Sequence, residues 1–323
     1  MQTGPGSHFG RSYRKGCLKT LDVAFAFPRV RLYFSVPTLL IFMPFDQKLS
    51  RSAFQKLGRQ LTKLSAKTAP ENVHRFRTYG RRIEALVDEL VPEPTRNDKR
   101  LLKILARLRS KAGKVRDLDV QIAALRNLKI PQEPSRKSQL LLALTEERRL
   151  REKKLARAFD PDTLRELRKR LKRAAETEIP ETTDPLALAL LQLGKLGRDH
   201  GPLTEKILHQ YRIAGKRARY LAELSGDDPQ AKFLVEQLKR MQDVLGDWHD
   251  WLKLSEKAGK LFGAPQDSAL VSALHNVTRA KFRQAIAALT ETRIALAGKK
   301  PTAMEAQGPK PSARVATDAS AVA

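Results

Sequence analysis

The sequence predicts an all-α fold, four helices followed by four more, and three observations lead there. From Phe45 onward Leu, Ala, Arg, Lys and Glu dominate, and proline and glycine fall mostly at breaks. Apolar residues recur at helical spacing: Phe76, Ile83 and Leu90 are seven apart, with Leu86 and Val87 between them. Finally, VHRFRTYGRR at 73–82 returns as LHQYRIAGKR at 208–217, so the chain repeats itself.

The first half reads as helices over 46–68, 71–91, 96–128 and 135–178, and the second as helices over 186–200, 203–225, 229–263 and 266–297. Pro70, the PEP at 92–94, Pro131 and Pro134 separate the first four. The Pro180–Pro185 stretch divides the halves, and Gly201-Pro202, Asp228-Pro229 and Pro265 separate the rest. Inside the fourth block, Asp160-Pro161 has the form of an N-cap followed by proline at the first helical position, which predicts an interruption and restart. The domain reading is a first half at 46–180, a second at 181–298, and a disordered tail at 299–323 that is rich in Ala, Pro, Ser and Lys. Residues 1–45 form an N-terminal extension of different composition. Its apolar runs, 23–27 and 32–45, are too short or too broken by proline for a good transmembrane helix. Three readings of this stretch stay open: translation starting at Met43, a genuine extension, or a targeting segment.

The chain has 62 Lys and Arg against 35 Asp and Glu, a formal net charge of +27 and an isoelectric point near 10.4. The excess lies in the helical part, since 52 of the basic and 32 of the acidic residues fall between positions 43 and 298. Such a chain attracts polyanions: nucleic acid, an anionic membrane surface or a phosphate polymer. Cys17 is the only cysteine, which excludes an intramolecular disulfide and a thiolate metal cluster.

The repeated segment has the form His-x-x-Arg-x-x-x-basic-Arg. At 3.6 residues per turn, His74, Arg77 and Arg81 fall on one line of a helix, opposite its apolar face, and His209, Arg212 and Lys216 form a second line. A solvated face would not need the same residue types in the same order twice. A second repeated motif, Gly-x-x-basic-Asp, sits in the third helix of each half, at Gly113–Asp117 and Gly246–Asp250. Glycine within a helix costs about 1 kcal/mol relative to alanine. A neighbouring helix or an anion is therefore expected to approach Gly113 and Gly246 closely, and Asp117 and Asp250 either orient a basic neighbour by hydrogen bonding or sit in solvated ion pairs.

With VHRFRTYGRR, GKVRDLDV at 113–120, LHQYRIAGKRARYLAEL at 208–224 and LKRMQDVLGDWHDWLKL at 238–254 in that order, the chain resembles the CHAD domains, named for conserved histidines in an α-helical domain. The likeness extends over nearly all of 46–295. It implies two four-helix bundles related by internal pseudo-twofold symmetry, with basic residues from both halves lining a shared groove or pore that binds inorganic polyphosphate without catalysis. The expected setting is the cytoplasm, on polyphosphate granules, with proteins of polyphosphate metabolism as further partners. No Glu-x-Glu-x-Lys motif of the kind used by the CYTH triphosphatase domains often fused to this family occurs, so the resemblance is to a standalone member.

The ligands expected on this basis are His74, Arg77, Arg81, Arg82 and Arg116 from the first half, and His209, Arg212, Lys216, Arg217, Arg219 and His249 from the second. Arg109, seven residues before Arg116 on the same face, joins them as a weaker candidate. His8, His200 and His275 match no family position. Glu84 stands where a third arginine is expected and where the second half has Arg219, which predicts a weaker first stripe and leaves the role of Arg82 less certain than that of Arg217.

Polyphosphate presents phosphate oxygens and no bases, and arginine's planar fork suits it. No cofactor, specific nucleic-acid partner or membrane insertion is expected. Aromatics are only 6% of the chain, with Tyr79, Tyr211 and Tyr220 near the stripes, which argues against single-strand recognition but leaves nonspecific duplex binding as an alternative. A metal-dependent phosphohydrolase is the remaining alternative, suggested by His249-Asp250, although no carboxylate cluster of metal-binding quality accompanies it.

Overall fold

A computed structural model describes residues 45–130, 132–196 and 203–298 of the chain. The expectations for the tail, for the stretch before Phe45, and for His8 and His200 lie outside the described residues. Among the described residues the fold is helical, with no strand. The helices are α1 (Gln47–Ala66), α2 (Pro70–Leu90), α3 (Arg96–Asn127), α4 (Pro134–Ala156), α5 (Pro161–Ala174), α6 (Pro185–Leu196), α7 (Glu205–Ala222), α8 (Pro229–Phe262) and α9 (Ala269–Gly298).

Local chemistry sets these boundaries. The carboxylate of Asp46 accepts from the Lys48 amide at 2.8 Å to start α1. Thr95 and Asp98 close a reciprocal capping box on α3, and Asp228 accepts from the Ala231 amide at 2.8 Å ahead of Pro229 on α8. The interruption expected at Asp160-Pro161 is present: α4 ends at Ala156, and Asp160 caps α5 by accepting from the Thr163 amide at 2.8 Å. Gly263, at φ 87°, ends α8 in the left-handed region that favours glycine. The start of α9 is capped from the other half of the chain, where Glu133 Oε2 accepts from the Leu270 amide at 3.0 Å and from Ser268 Oγ at 2.7 Å.

In the first half α2 packs against α1 and α3, while α3 packs against α4 and α5 and α5 returns to α1. In the second half α7 packs against α6 and α8, and α8 against α9. The halves meet where α2 packs on α7 and where α3 packs on α8. The apolar face read from α2 is the buried one: Phe76, Ile83, Leu86, Val87 and Leu90 all lie in a hydrophobic core that continues into Leu208, Leu221 and Leu238 of the second half. A smaller cluster joins Leu118, Leu125 and Leu140 to Leu254 and Leu270, fastening the far ends of α3 and α4 to those of α8 and α9. No described helix is long and apolar enough to cross a membrane.

The glycines divide differently from expectation. A Cβ on Gly113 would lie 3.7 Å from the Arg77 guanidinium, so a neighbouring helix does approach there. Nothing outside its own helix lies within 4 Å of the Cβ position at Gly246, so the neighbouring helix expected there is absent and only the expected anion is left to occupy that space. The tight contact in the second half is instead at Gly215, where a Cβ would meet the Met241 methyl at 2.7 Å. That glycine lets α7 settle onto α8, whereas the face of α8 at Gly246 is open.

Candidate functional site

Because α2 buries its Phe76–Ile83–Leu90 face, its opposite stripe is turned outward from the first-half core, and the packing of α2 on α7 brings the two repeated stripes together. Arg77, Arg81, Arg212 and Lys216 gather there, close enough that each pair of neighbours disfavours the other's charge. Burial pushes the Lys216 ammonium down to about 6, and Arg212, Arg81 and Arg77 push it the same way, against a smaller opposing pull from Asp250. Burial likewise disfavours the charge on Arg81, helped by Arg77, Arg109 and Arg212 and opposed by Tyr220. For Arg212 burial again leads, with Asp250 and Asp117 opposing it.

Carboxylates reach only the edge of this cluster. Arg77 Nη1 donates to Asp117 Oδ1 at 3.2 Å, with its guanidinium lying over Gly113. Asp250 sits beside His249, whose Nδ1 is 3.5 Å from Oδ1, and faces Arg212 through space. Among the described residues no carboxylate forms an ion pair with Arg81, Arg212, Lys216 or Arg116.

The imidazoles stand at the rim. His209 stacks on His249 with ring centroids 5.8 Å apart and planes 24° apart, which ties the second half's stripe to its Gly-x-x-basic-Asp motif. In the first half His74 neighbours Arg116, the residue at the position matching His249. Burial lowers the pKa of His74 first, and then Arg116, Arg77 and Lys216 do. The pKa of His209 is lowered by burial, then by His249 and Arg212.

The remaining four candidates are engaged by carboxylates. Arg109 Nε donates to Glu84 Oε1 at 2.9 Å, so the glutamate that replaces the expected arginine holds a cation of α3. Arg82 Nε donates to Glu223 Oε2 at 2.8 Å, and its guanidinium carbon lies 5.1 Å from the Tyr79 ring centroid and 5.9 Å from that of Tyr220. Arg217 reaches back across the same junction to Glu89 and to Asp88, the latter at 3.4 Å. Arg219 lies 3.5 Å from Glu223 and 5.0 Å from the Tyr220 centroid.

Arg82 and Arg217 occupy the same position in the repeat, and so do Asp88 and Glu223. The α2–α7 junction therefore pairs each half's arginine with the other half's acid, the reciprocity of an isologous contact. Sequence reasoning missed this clamp, although the signal was present. An arginine followed six residues later by an acid occurs in both repeats, as Arg82/Asp88 and as Arg217/Glu223.

Among the described residues no group of three or more His, Cys, Asp or Glu side chains is arranged to hold a metal ion. Comparison with known proteins gives a match to the family model of the CHAD domain over residues 49–259. Among solved structures, PptA from Streptomyces chartreusis superimposes with a TM-score of 0.61 at 18% identity, covering 77% of this chain and 99% of that one. The CHAD domain from the plant Ricinus communis superimposes with a TM-score of 0.61 at 19% identity, covering 81% of this chain and 94% of its own. No curated protein matches the sequence.

Proposed function

The chain belongs to the CHAD domain family, and from that premise together with the geometry we propose that it binds inorganic polyphosphate, without catalysis, in the space between α2, α3, α7 and α8. The observation that carries this reading is the convergence of Arg77, Arg81, Arg212 and Lys216 from both repeats with carboxylates only at its edge. Gathering three guanidinium groups around an amine that burial and their repulsion discharge opposes folding, and a ligand of the other sign offsets that cost. A linear chain of phosphates supplies that sign at close spacing, and each guanidinium group can donate to two of its oxygens at once.

On this reading His74, Arg116, His209 and His249 are rim donors that the polymer meets as it enters or leaves. The reciprocal pairs Arg82–Glu223 and Arg217–Asp88 support a pseudo-twofold arrangement of the two halves. They assign those two arginines to holding the halves together, with Arg219 and Arg109 in supporting positions. Attachment to polyphosphate granules in the cytoplasm, beside proteins of polyphosphate metabolism, is the setting this binding would serve.

The test compares polyphosphate, duplex DNA and tRNA as competitors for one labelled polyphosphate probe across a salt series. Binding that strengthens with chain length and that DNA displaces poorly is the expected result. Equal displacement by DNA at matched phosphate concentration would overturn the polyphosphate reading in favour of a general polyanion binder.

The division of labour makes a separate prediction. Arg82→Ala leaves Glu223 with Arg219 alone and should lower stability by about 1–2 kcal/mol in denaturant unfolding, and Arg217→Ala, which breaks the more exposed pair with Asp88, should lower it by about 1 kcal/mol or less. Polyphosphate affinity of the folded variants should change by less than about threefold. A large affinity loss with unchanged stability would return these arginines to the set of direct ligands.

A further inference from the structure

A second basic cluster lies on the first half, on the side of α3 turned away from the α2–α7 site. There an open hollow of about 280 Å³ is lined by Arg107 and Lys111 of α3, Lys154 near the end of α4, and Arg157, Ala158 and Asp160 of the connection to α5. The helical repeat separates it from the first site. Arg107, Lys111 and Lys114 return to one side of α3 at spacings of four and three, with Lys103 a turn earlier, whereas Arg109, Gly113 and Arg116 lie roughly opposite.

Four cations thus converge from three segments, and the one acid in the lining is Asp160, which also feels Arg107. Asp160 is turned to its capping task, with Oδ1 accepting from the Thr163 amide at 2.8 Å and Oδ2 from the Thr163 hydroxyl at 2.7 Å. Glu166 pairs with Arg170 at 2.9 Å and Arg100 at 3.4 Å, and Asp162 pairs with Arg165 at 3.3 Å. Arg107 Nη2 donates to Thr163 Oγ1 at 3.4 Å, at the start of α5. Arg107, Lys154 and Arg157 are exposed and Lys111 is half-buried, so a ligand reaches all four from solvent.

The repeat shows that this face is not a requirement of the fold. Aligning Gly113 with Gly246 places Glu236, Arg240, Val244 and Asp247 where the first half has Lys103, Arg107, Lys111 and Lys114. In the second half Arg240 is paired with Glu236, and Asp247 with Lys281 at 2.8 Å. One repeat neutralises this face and the other concentrates positive charge on it.

We propose that the hollow of Arg107, Lys111, Lys154 and Arg157 is a second, independent binding site for condensed phosphate. The inference rests on the polyphosphate reading of the central site and extends it. With two sites on opposite sides of α3, one molecule holds two polymer segments, so that long polyphosphate is bridged and not merely coated. Linking two such contacts through one polymer raises avidity well beyond either site alone.

Titration calorimetry of the full chain with tripolyphosphate tests it. Wild type should bind two equivalents, Lys111→Glu with Arg157→Glu one, and Arg77→Glu with Arg212→Glu the other one. If the half-buried position disturbs the helix, as circular dichroism would show, Arg107→Gln with Arg157→Gln serves in its place. With long-chain polyphosphate, wild type should form large light-scattering assemblies, whereas the Lys111/Arg157 variant should bind without forming them. A single equivalent in wild type, unchanged by the outer variants, overturns the second site and leaves the central reading intact. One equivalent that only the outer variants abolish sinks the central reading and leaves the second site standing. If a short DNA duplex occupies the outer hollow and tripolyphosphate does not, the site belongs to nucleic acid and the proposal fails.

Discussion

Arg77→Glu combined with Arg212→Glu is expected to lower polyphosphate affinity by about 100-fold or more while leaving the helix content unchanged. Each residue comes from the same position of its repeat, and each lies in the cluster that also holds Arg81 and Lys216. A hydrogen bond to a charged group contributes about 1.5–3 kcal/mol, so losing two gives about 3–6 kcal/mol, or two to four decades of affinity. Reversal adds repulsion of the polymer on top of that loss.

The fold should survive, because new carboxylates among Arg81 and Lys216 relieve a concentration of positive charge. Loss of the Arg77–Asp117 pair and the nearness of Asp117 and Asp250 to the new carboxylates oppose that relief, so the melting temperature of the free double variant should stay close to that of wild type. Arg77→Gln with Arg212→Gln should give a smaller loss of the same kind and a shallower salt dependence of what binding remains. Wild-type affinity in the glutamate variant, with its helices intact, would place the central polymer site elsewhere.

The helices and their breaks were legible in the sequence because their causes are local. Pro70, Pro161 and Pro229 each stand in the first turn of a helix, and Thr95, Asp160 and Asp228 cap from the side chain. The stripes were legible because periodicity alone puts His74, Arg77 and Arg81 opposite Phe76, Ile83 and Leu90. What the sequence could not rank was which cations in those stripes keep their charge for a ligand. That depends on acids brought in by tertiary packing: Glu223 crosses from α7 to Arg82, Asp88 crosses from α2 to Arg217, and Glu84 reaches Arg109 on α3.

Glu84 illustrates the point. Read along the chain it is a missing ligand that weakens the first stripe. In the fold it holds Arg109, while the residue at its counterpart position, Arg219, lies 3.5 Å from Glu223, so both positions contact a residue of opposite charge beside the cluster. At Gly246 the expectation of a neighbouring helix misled, since no other helix comes within 4 Å of its Cβ position.

Polyphosphate binding should be accompanied by proton uptake, with Lys216 as the principal acceptor. The groups facing it include Arg212 and His209 from its own helix, His74, Arg77 and Arg81 from α2, and Asp250 from α8. In the free protein its pKa of about 6 leaves the amine largely neutral at pH 7.5. A polyanion laid across the cluster offsets the three guanidinium groups and draws a proton onto the amine. Affinity should accordingly fall as pH rises above about 6, with log Kd changing by up to about one unit per pH unit until the bound-state pKa is passed.

The stability of the free protein runs the opposite way. The unfolded chain binds this proton up to its ordinary value of 10.5 whereas the folded one has already released it, so stability from this group increases as pH rises from about 6 toward 10.5. Lys216→Met should flatten both trends and raise the melting temperature near neutral pH. Calorimetry in buffers of different ionisation enthalpy measures the proton count directly, and His74→Gln with His209→Gln separates the imidazole contribution, because both of those pKa values are also lowered in the free protein. Binding that takes up no protons at pH 7.5 and does not weaken between pH 6.5 and 8.5 would mean that the polymer does not reach Lys216, and the central cluster would lose its assignment as the polyphosphate site.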